Sequence, residues 1–354
     1  MDTTVGHKKL FCSRPFKWFE VTQVNEIGEV YVCCPSWLDT PIGNLTYQSV
    51  EETWNGKKAQ EFRRSILDGS FKYCNRSRCP FLQTISEPVE RVEDVKDEDL
   101  KIIIEKKLTI LPYGPREINC SYDRSCNLSC PSCRTKVIIE NGNKQQILNI
   151  QGKINNEALK DAHLLYITGS GDPFGSPFFR KWLQTMKRGD MPNLKKIHLH
   201  TNAQLWTPQM WSTIPKDIQQ LVKTVEISID AVSSRTYSIN RRGGSFERLL
   251  ENLEFIRILR KNVPFEWFGI SMVVQENNFM EMPAFVLLGQ RFHADTVYFS
   301  QLVNWGTYSN KEFSNRAIHL PTHPKHVKFV DLLKNEIFNE PLVYLGNLTN
   351  GSFV

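Results

Sequence analysis

Cysteine is absent from everything after Cys133, a stretch of 221 residues in a chain of 354. Long apolar runs are also missing. None approaches the roughly 18 residues of a membrane span, and the longest, such as Phe285–Gly289, is the size of a core segment. The opening segment, MDTTVGHKKLFCSRPF, has neither the apolar stretch nor the small-residue cleavage site of a secretion signal. Charge of one sign is scarce too. Lys and Arg total 44 against 38 Asp and Glu, a net +6 that is too mild to point to nucleic acid. With 40% hydrophobic and 23% charged residues, the chain is neither low-complexity nor collagen-like, and it can bury a sizeable core.

Nine cysteines remain, an odd number for a disulfide framework, in a chain long enough to need no staples. Clustered thiols without a secretion signal place the protein in the cytoplasm, with metal or redox chemistry as the use for them. The Asn-x-Ser/Thr sequons at Asn44 and Asn347 are then chance. Five cysteines (Cys12, Cys33, Cys34, Cys74, Cys79) precede residue 80, and four lie between Cys120 and Cys133.

Composition divides the chain into four stretches. Residues 1–85 hold a strand pair (17–24 and 29–32) around the turn at 25–28, then a helix pattern from Ser49 to Leu67. Ser49 and Glu52 have capping-box spacing, and Gly69 suits the helix end. Residues 86–112 read as a charged, partly helical linker, with eight acidic and five basic residues between Glu87 and Lys107. From 113 to 310, β-patterned runs (117–122, 164–168, 196–201, 224–229, 268–274, 296–300) alternate with helix patterns such as Phe246–Arg260. Six such units, against the eight of a closed barrel, predict an α/β fold, a partial (β/α)6 TIM-like barrel. Residues 311–354 form a C-terminal extension with a helix pattern at 323–338.

Strands buried on both faces are expected to be continuously apolar. Here His198, His200 and Asn202 alternate with apolar neighbours, as do Glu226, Ser228 and Asp230, which predicts a polar lumen. The other reading, polar groups satisfied by one another, stays open.

Just after the first barrel strand, Cys126, Cys130 and Cys133 are spaced C-x3-C-x2-C, so three thiolates can converge. Tetrahedral zinc would need a fourth ligand, and Cys120 on the strand is poorly placed for it. Three thiolates on a four-iron cluster instead leave one iron open to an outside ligand. The position, at the C-terminal end of a strand, is where α/β folds bind ligands.

At this motif the chain resembles the radical S-adenosylmethionine (SAM) superfamily. Thr168-Gly169-Ser170-Gly171-Asp172-Pro173 looks like that family's Gly-Gly-Glu-Pro element, with Ser170 and Asp172 as departures, and Ser132 replaces a common aromatic residue. His200-Thr-Asn202-Ala203 resembles its Thr-Asn-Gly, Ser228-Ile-Asp230 its Ser-x-Asp, and Arg241-Arg242-Gly-Gly-Ser-Phe246 its downstream Arg-Gly segment. The resemblance implies a [4Fe–4S] cluster on Cys126, Cys130 and Cys133. It places SAM against Gly169, Ser170, Gly171, Asp172, Asn202, Ser228 and Asp230, with Arg242, or Arg241, pairing its carboxylate. The implied chemistry is reductive cleavage of SAM to a 5′-deoxyadenosyl radical that abstracts hydrogen from substrate, fed by a flavodoxin- or ferredoxin-type donor.

Residues 12–79 resemble the SPASM or twitch auxiliary-cluster domain, through Gly28-x4-Cys33, the 43–69 segment and Cys74-x4-Cys79. This implies a small α+β cysteine-rich auxiliary domain ahead of the barrel, an order opposite to most such enzymes. A second [4Fe–4S] cluster would sit on Cys12, Cys33, Cys74 and Cys79. Whether Cys33 or Cys34 is the ligand stays open, as does zinc in place of iron–sulfur.

The expected substrate is a small polar metabolite such as a sugar, oxidised or rearranged, with His198, His200 and Glu226 as lumen contacts and no catalytic residue assigned. The alternatives are a peptide-modifying maturase and a non-catalytic iron–sulfur protein. The few residues before Cys12 leave no room for an N-terminal leader-binding domain, which counts against the maturase. Epimerisation is disfavoured because no thiol follows Cys133 and Cys120 is in phase with the apolar Ile118 and Tyr122. Neither nucleic acid nor membrane is expected as a partner.

Overall fold

The computed structural model describes residues 9–167, 170–263 and 265–348, arranged in two compact units. The first gathers the chain up to Asp123 with Asn141–Tyr166 and Lys187–Lys195; the second gathers Arg124–Glu140, Ile167–Met186 and the chain from Lys196 onward.

In the first unit, β1 (Leu10–Cys12), β2 (Trp18–Thr22), β3 (Glu29–Tyr31), β4 (Gly43–Asn44), β5 (Val89–Arg91) and β6 (Glu117–Cys120) are the strands. β2 pairs parallel with β6 and antiparallel with β3, which pairs antiparallel with β4. Separately, β1 pairs antiparallel with β5, Cys12 opposite Val89. The capping box forms as expected, Ser49 Oγ accepting from the Glu52 amide and Glu52 from the Ser49 amide. The expected single helix is two, Val50–Trp54 and Lys57–Leu67. The cause is local. At Gly56 the backbone is extended, and a Cβ there would stand 2.4 Å from the Glu52 carbonyl oxygen. Gly69, past the second helix, adopts a φ of +82° as its place requires.

The 86–112 stretch differs from a solvated linker. It holds β5 and the helix Glu98–Lys106, whose Leu100 and Ile103 are buried and whose first turn is capped by Asp97. The acidic and basic residues occupy the outer face, so charge content there did not mean absence of packing.

Strand β7 (Leu164–Ile167) leads toward the turn at 170–176. The second unit then contains β8 (Lys196–Thr201), β9 (Val222–Ser228), β10 (Trp267–Val274), β11 (Thr296–Gln301) and β12 (Val343–Tyr344), all parallel and side by side in sequence order. Helices Ser234–Asn240, Phe246–Leu259 and Met282–Arg291 form the crossovers. This is the expected α/β alternation, with strand ends shifted by one or two residues.

One face of these strands is apolar over most of its length. Ile197, Leu199, Val225, Ile227, Phe268, Ile270 and Met272 are buried, each burial stabilising by about 1.5–3 kcal/mol. The opposite face carries the polar set in lateral register, His200 beside Glu226, Glu226 beside Gly269, and Ser228 beside Ser271. In the C-terminal stretch, the expected 323–338 helix is shorter, His326–Leu332 followed by a 3-10 turn at Glu336–Asn339. Among the described residues no helix is long and apolar enough to cross a membrane.

Candidate metal centres

Cys126, Cys130 and Cys133 all line one cavity of about 360 Å3 in the second unit. Their loop is shaped by short-range backbone bonds. The Cys126 amide donates to the Ile138 carbonyl (2.9 Å), and the amides of Cys133 and Arg134 both donate to the Cys130 carbonyl (2.9 Å each). Arg134, absent from the sequence expectations, is the buried clasp of this loop. Its guanidinium donates to the carbonyls of Arg124 (2.6 Å) and Ser170 and lies 3.4 Å from Cys133 Sγ. Its position directly after the third cysteine was the available signal. Burial pushes the Cys126 thiol up to about 12, with Asp172 adding to the rise and Arg134 opposing it.

Asp172 is buried, and its carboxylate is saturated. One oxygen accepts from the amides of Phe174 (3.0 Å) and Gly175 (2.8 Å), the other from the Thr201 hydroxyl (2.8 Å) and the Asn202 amide (2.8 Å). A carboxylate offers about four acceptor sites. Asp172 lines the same cavity, and its four hydrogen bonds brace the turn after β7 against the end of β8. The fit is close, since a Cβ on Gly175 would stand 2.6 Å from Asn127 Oδ1. Asn202 extends the brace, its Nδ2 donating to Asn127 Oδ1 (3.1 Å) and approaching Cys126 Sγ at 3.6 Å. Ala203 follows at φ +56°, a left-handed conformation that glycine adopts without cost. Gly171 lines the cavity, Ser170 offers its carbonyl to Arg134, and Gly169 lies outside the described residues.

Of the two arginine candidates, Arg241 is the one at the cavity. Arg242 is exposed, donating to Ser129 Oγ (3.1 Å) and the Thr135 carbonyl (3.0 Å). Arg241 lines the cavity instead, paired with Asp230 at 2.9 Å and with Nη1 3.8 Å from Cys130 Sγ. Its Nε is buried without a hydrogen-bond partner. Asp230, at φ +62°, also accepts from the Val273 amide (2.7 Å), so two strand ends and the guanidinium are tied together. Burial raises the Asp230 carboxyl and Arg241 opposes that rise.

Of the lumen candidates, only His200 reaches this cavity, where Ser228 also lies. His200 Nε2 is 2.6 Å from Ser228 Oγ and 3.6 Å from Glu226. His198 and Glu226 are not in the wall. His198 bonds Thr224 (2.9 Å) and stacks on Trp267, and burial pushes it down to about 4. Burial alone would raise the Glu226 carboxyl, yet His200 and the Ser271 hydroxyl hold it below the usual range. These polar groups satisfy one another. The outer wall is Leu302, Val303 and Trp305, and Trp305 is 65% exposed on a turn braced by Asn304, which accepts from the Gly306 amide (3.0 Å).

In the first unit, Cys12, Cys33, Cys74 and Cys79 line a second, small apolar cavity, while Cys34 does not. This favours Cys33 over Cys34 as the fourth thiol. Cys120 is fully buried between Ile118 and Tyr122 in sequence, and burial raises its thiol strongly. Among the described residues no three His, Cys, Asp or Glu side chains are placed to hold a single metal ion. Zinc draws its thiolates to about 2.3 Å from one point, whereas an iron–sulfur cluster spreads the same ligands around a larger core. The thiols of each set line one cavity without meeting at one point, as ligands around the larger group do.

An α/β site with three thiols beside a buried guanidinium at the strand ends defines a cluster-and-cofactor centre. Residues 122–285 match the radical SAM superfamily, and residues 12–80 match the SPASM iron–sulfur cluster-binding domain. Residues 122–285 thus form a radical SAM domain, and a SPASM domain, residues 12–80, lies ahead of it. The cofactors of these domains are a [4Fe–4S] cluster, SAM and auxiliary iron–sulfur. Among solved structures the chain is similar to Streptococcus suis SuiB bound to precursor peptide SuiA, at 13% identity and a TM-score of 0.43, over 84% of this chain and 65% of that one. It is also similar to anSMEcpe with bound AdoMet and a Kp18Cys peptide, at 18% identity and a TM-score of 0.37, over 62% of this chain and 60% of that one. The chain thus spans slightly less than two thirds of either protein. No curated protein matches it in sequence.

Proposed function

We propose that the chain is a radical SAM enzyme in which Cys126, Cys130 and Cys133 hold the four-iron cluster and the cavity they line receives SAM. When bound, this pair supplies one-electron cleavage of a C–S bond and a 5′-deoxyadenosyl radical that takes hydrogen from substrate. The residues of the chain bind and orient. Arg241, fixed by Asp230, presents its guanidinium to the carboxylate of SAM. Gly171 and Ser228 border the cofactor. Asp172, Asn202 and Arg134 hold the cysteine loop and the strand ends in one geometry. A flavodoxin- or ferredoxin-type protein is the implied electron donor. The observation that carries the reading is the convergence of three thiols, Arg241 and the ends of β8, β9 and β11 on one cavity.

The test is anaerobic reconstitution, reduction with dithionite and assay of 5′-deoxyadenosine from SAM. Wild type should form it, and Cys130→Ala should not. Wild-type protein with its full iron that leaves SAM intact would overturn the reading.

For the substrate, we infer a peptide rather than a sugar. His198, His200 and Glu226, the expected lumen contacts for a polar metabolite, are engaged with Thr224, Ser228, Ser271 and each other. The accessible wall sets the apolar Val303 and Trp305 beside the amides of Gln301 and Asn347, a mixture that suits a peptide's side chains and backbone. Reconstituted enzyme supplied with a peptide pool should form 5′-deoxyadenosine above its substrate-free rate. Stimulation by monosaccharides and none by peptides would overturn the inference.

A further inference from the structure

The cavity between Cys12, Cys33, Cys74 and Cys79 has one charged residue in its wall, Arg14, among apolar neighbours that include Leu38, Phe62 and Phe71. The Arg14 guanidinium lies 4.0 Å over the Trp18 ring and 5.9 Å from that of Phe81. Its contact with Glu117 is long, 3.8 Å, and its Nη1 is buried without a hydrogen-bond partner. A buried guanidinium nitrogen left unsatisfied is costly, and the thiols beside it are the anions-to-be. A second donor is already in place, Trp37 Nε1 to Cys33 Sγ at 3.2 Å. The indole is held edge-on against Phe81, ring centroids 5.9 Å apart, so its N–H direction is set by packing.

We propose that Arg14 and Trp37 raise the reduction potential of the auxiliary iron–sulfur cluster held by these four cysteines, so that it is poised to accept an electron rather than to deliver one at low potential. The proposal rests on the assignment of that ligand set. The physics is elementary. One-electron reduction adds one negative charge to a cluster that already carries four thiolates. A fixed positive charge and an N–H donor stabilise the reduced form more than the oxidised one, and an apolar wall screens them little. Packing holds both groups, so no reorganisation is needed when the charge arrives.

The experiment uses the whole 354-residue chain in a Cys126→Ala/Cys130→Ala/Cys133→Ala background, which leaves the auxiliary cluster as the single redox centre. Iron content and an EPR-monitored, dye-mediated redox titration are read together. The parent should retain about four iron atoms. Arg14→Gln should keep them and lower the midpoint enough to change the oxidised-to-reduced ratio at a given potential by at least tenfold, about 59 mV for one electron. Arg14→Lys should restore most of the shift. Trp37→Phe should move the midpoint in the same direction by a smaller amount, and it keeps the proposal testable if Arg14→Gln misfolds. A midpoint unchanged in Arg14→Gln with iron retained, or equal shifts in Arg14→Gln and Arg14→Lys, would overturn the role of the charge. An unchanged midpoint in Trp37→Phe would overturn the role of the N–H donor. Absence of iron from the parent would instead overturn the ligand assignment.

Discussion

Replacing Asp172 by Asn tests whether this acid is a brace or a cofactor contact. The side chain keeps its shape, but one acceptor oxygen becomes a donor. If the new NH2 faces Phe174 and Gly175, two buried amides lose their acceptor. If it faces β8, the Thr201 hydroxyl can turn, and the Asn202 amide alone is orphaned. The second arrangement is cheaper. One buried donor without a partner, plus the loss of charge assistance at the remaining bonds, costs about 2–4 kcal/mol. Asp172→Ala removes all four acceptors and should cost more. Hydrogen–deuterium exchange reads this locally, which suits a chain of two units whose global unfolding need not be two-state. Exchange of the Gly175 and Asn202 amides should accelerate by about 30- to 700-fold in Asp172→Asn, taking 1.4 kcal/mol per tenfold, and further in Asp172→Ala. The acceleration should already be present without SAM. If both variants exchange within threefold of wild type in the absence of SAM, yet bind SAM more weakly, the carboxylate is a cofactor contact and the bracing argument fails.

Three further outcomes are expected. Cys34→Ala should leave iron content unchanged and Cys33→Ala should lower it by about four atoms per chain; equal losses would contradict the placement of Cys34 outside the thiol cavity. Burial pushes the Glu20 carboxyl up to about 7, with Trp18 and Asn119 hydrogen bonds opposing the rise. The folded state therefore holds its proton more tightly than the unfolded chain, and stability should fall by about 3 kcal/mol as pH rises from about 4.5 to about 7. Glu20→Gln should remove that slope in denaturant titrations across the same window, and an unaltered slope would refute the assignment. Ala203→Gly should stabilise the end of β8 by about 1 kcal/mol, because it relieves a left-handed backbone at a residue with a Cβ; destabilisation in thermal melts would speak against strain there.

Strand positions were readable because each barrel strand is a short run with apolar residues at alternate positions or throughout, closed by a turn, and β8 begins and ends where its pattern does. The Val50–Leu67 break was hidden because Asn55-Gly56 interrupts a pattern whose apolar spacing continues on both sides. Charge content at 86–112 misled for a related reason: a helix with one buried face and a charged outer face has the same composition as a solvated segment.

By itself, the sequence determined the α/β alternation, the grouping of the cysteines and the order of the motifs along the strands, since all of these depend on local spacing along the chain. Tertiary structure decided between adjacent or chemically equal candidates. Arg241 and Arg242 are neighbours in sequence, and only the packing of the 241–246 turn sends one guanidinium to Asp230 and the other to the surface. Cys33 and Cys34 likewise differ only in the side of the chain on which they leave it. Asp172 stands out in the sequence through its motif, and only the fold brings it four donors, two of them about thirty residues away. Spacing specifies which groups are present, and three-dimensional competition for hydrogen bonds specifies which of them stay available.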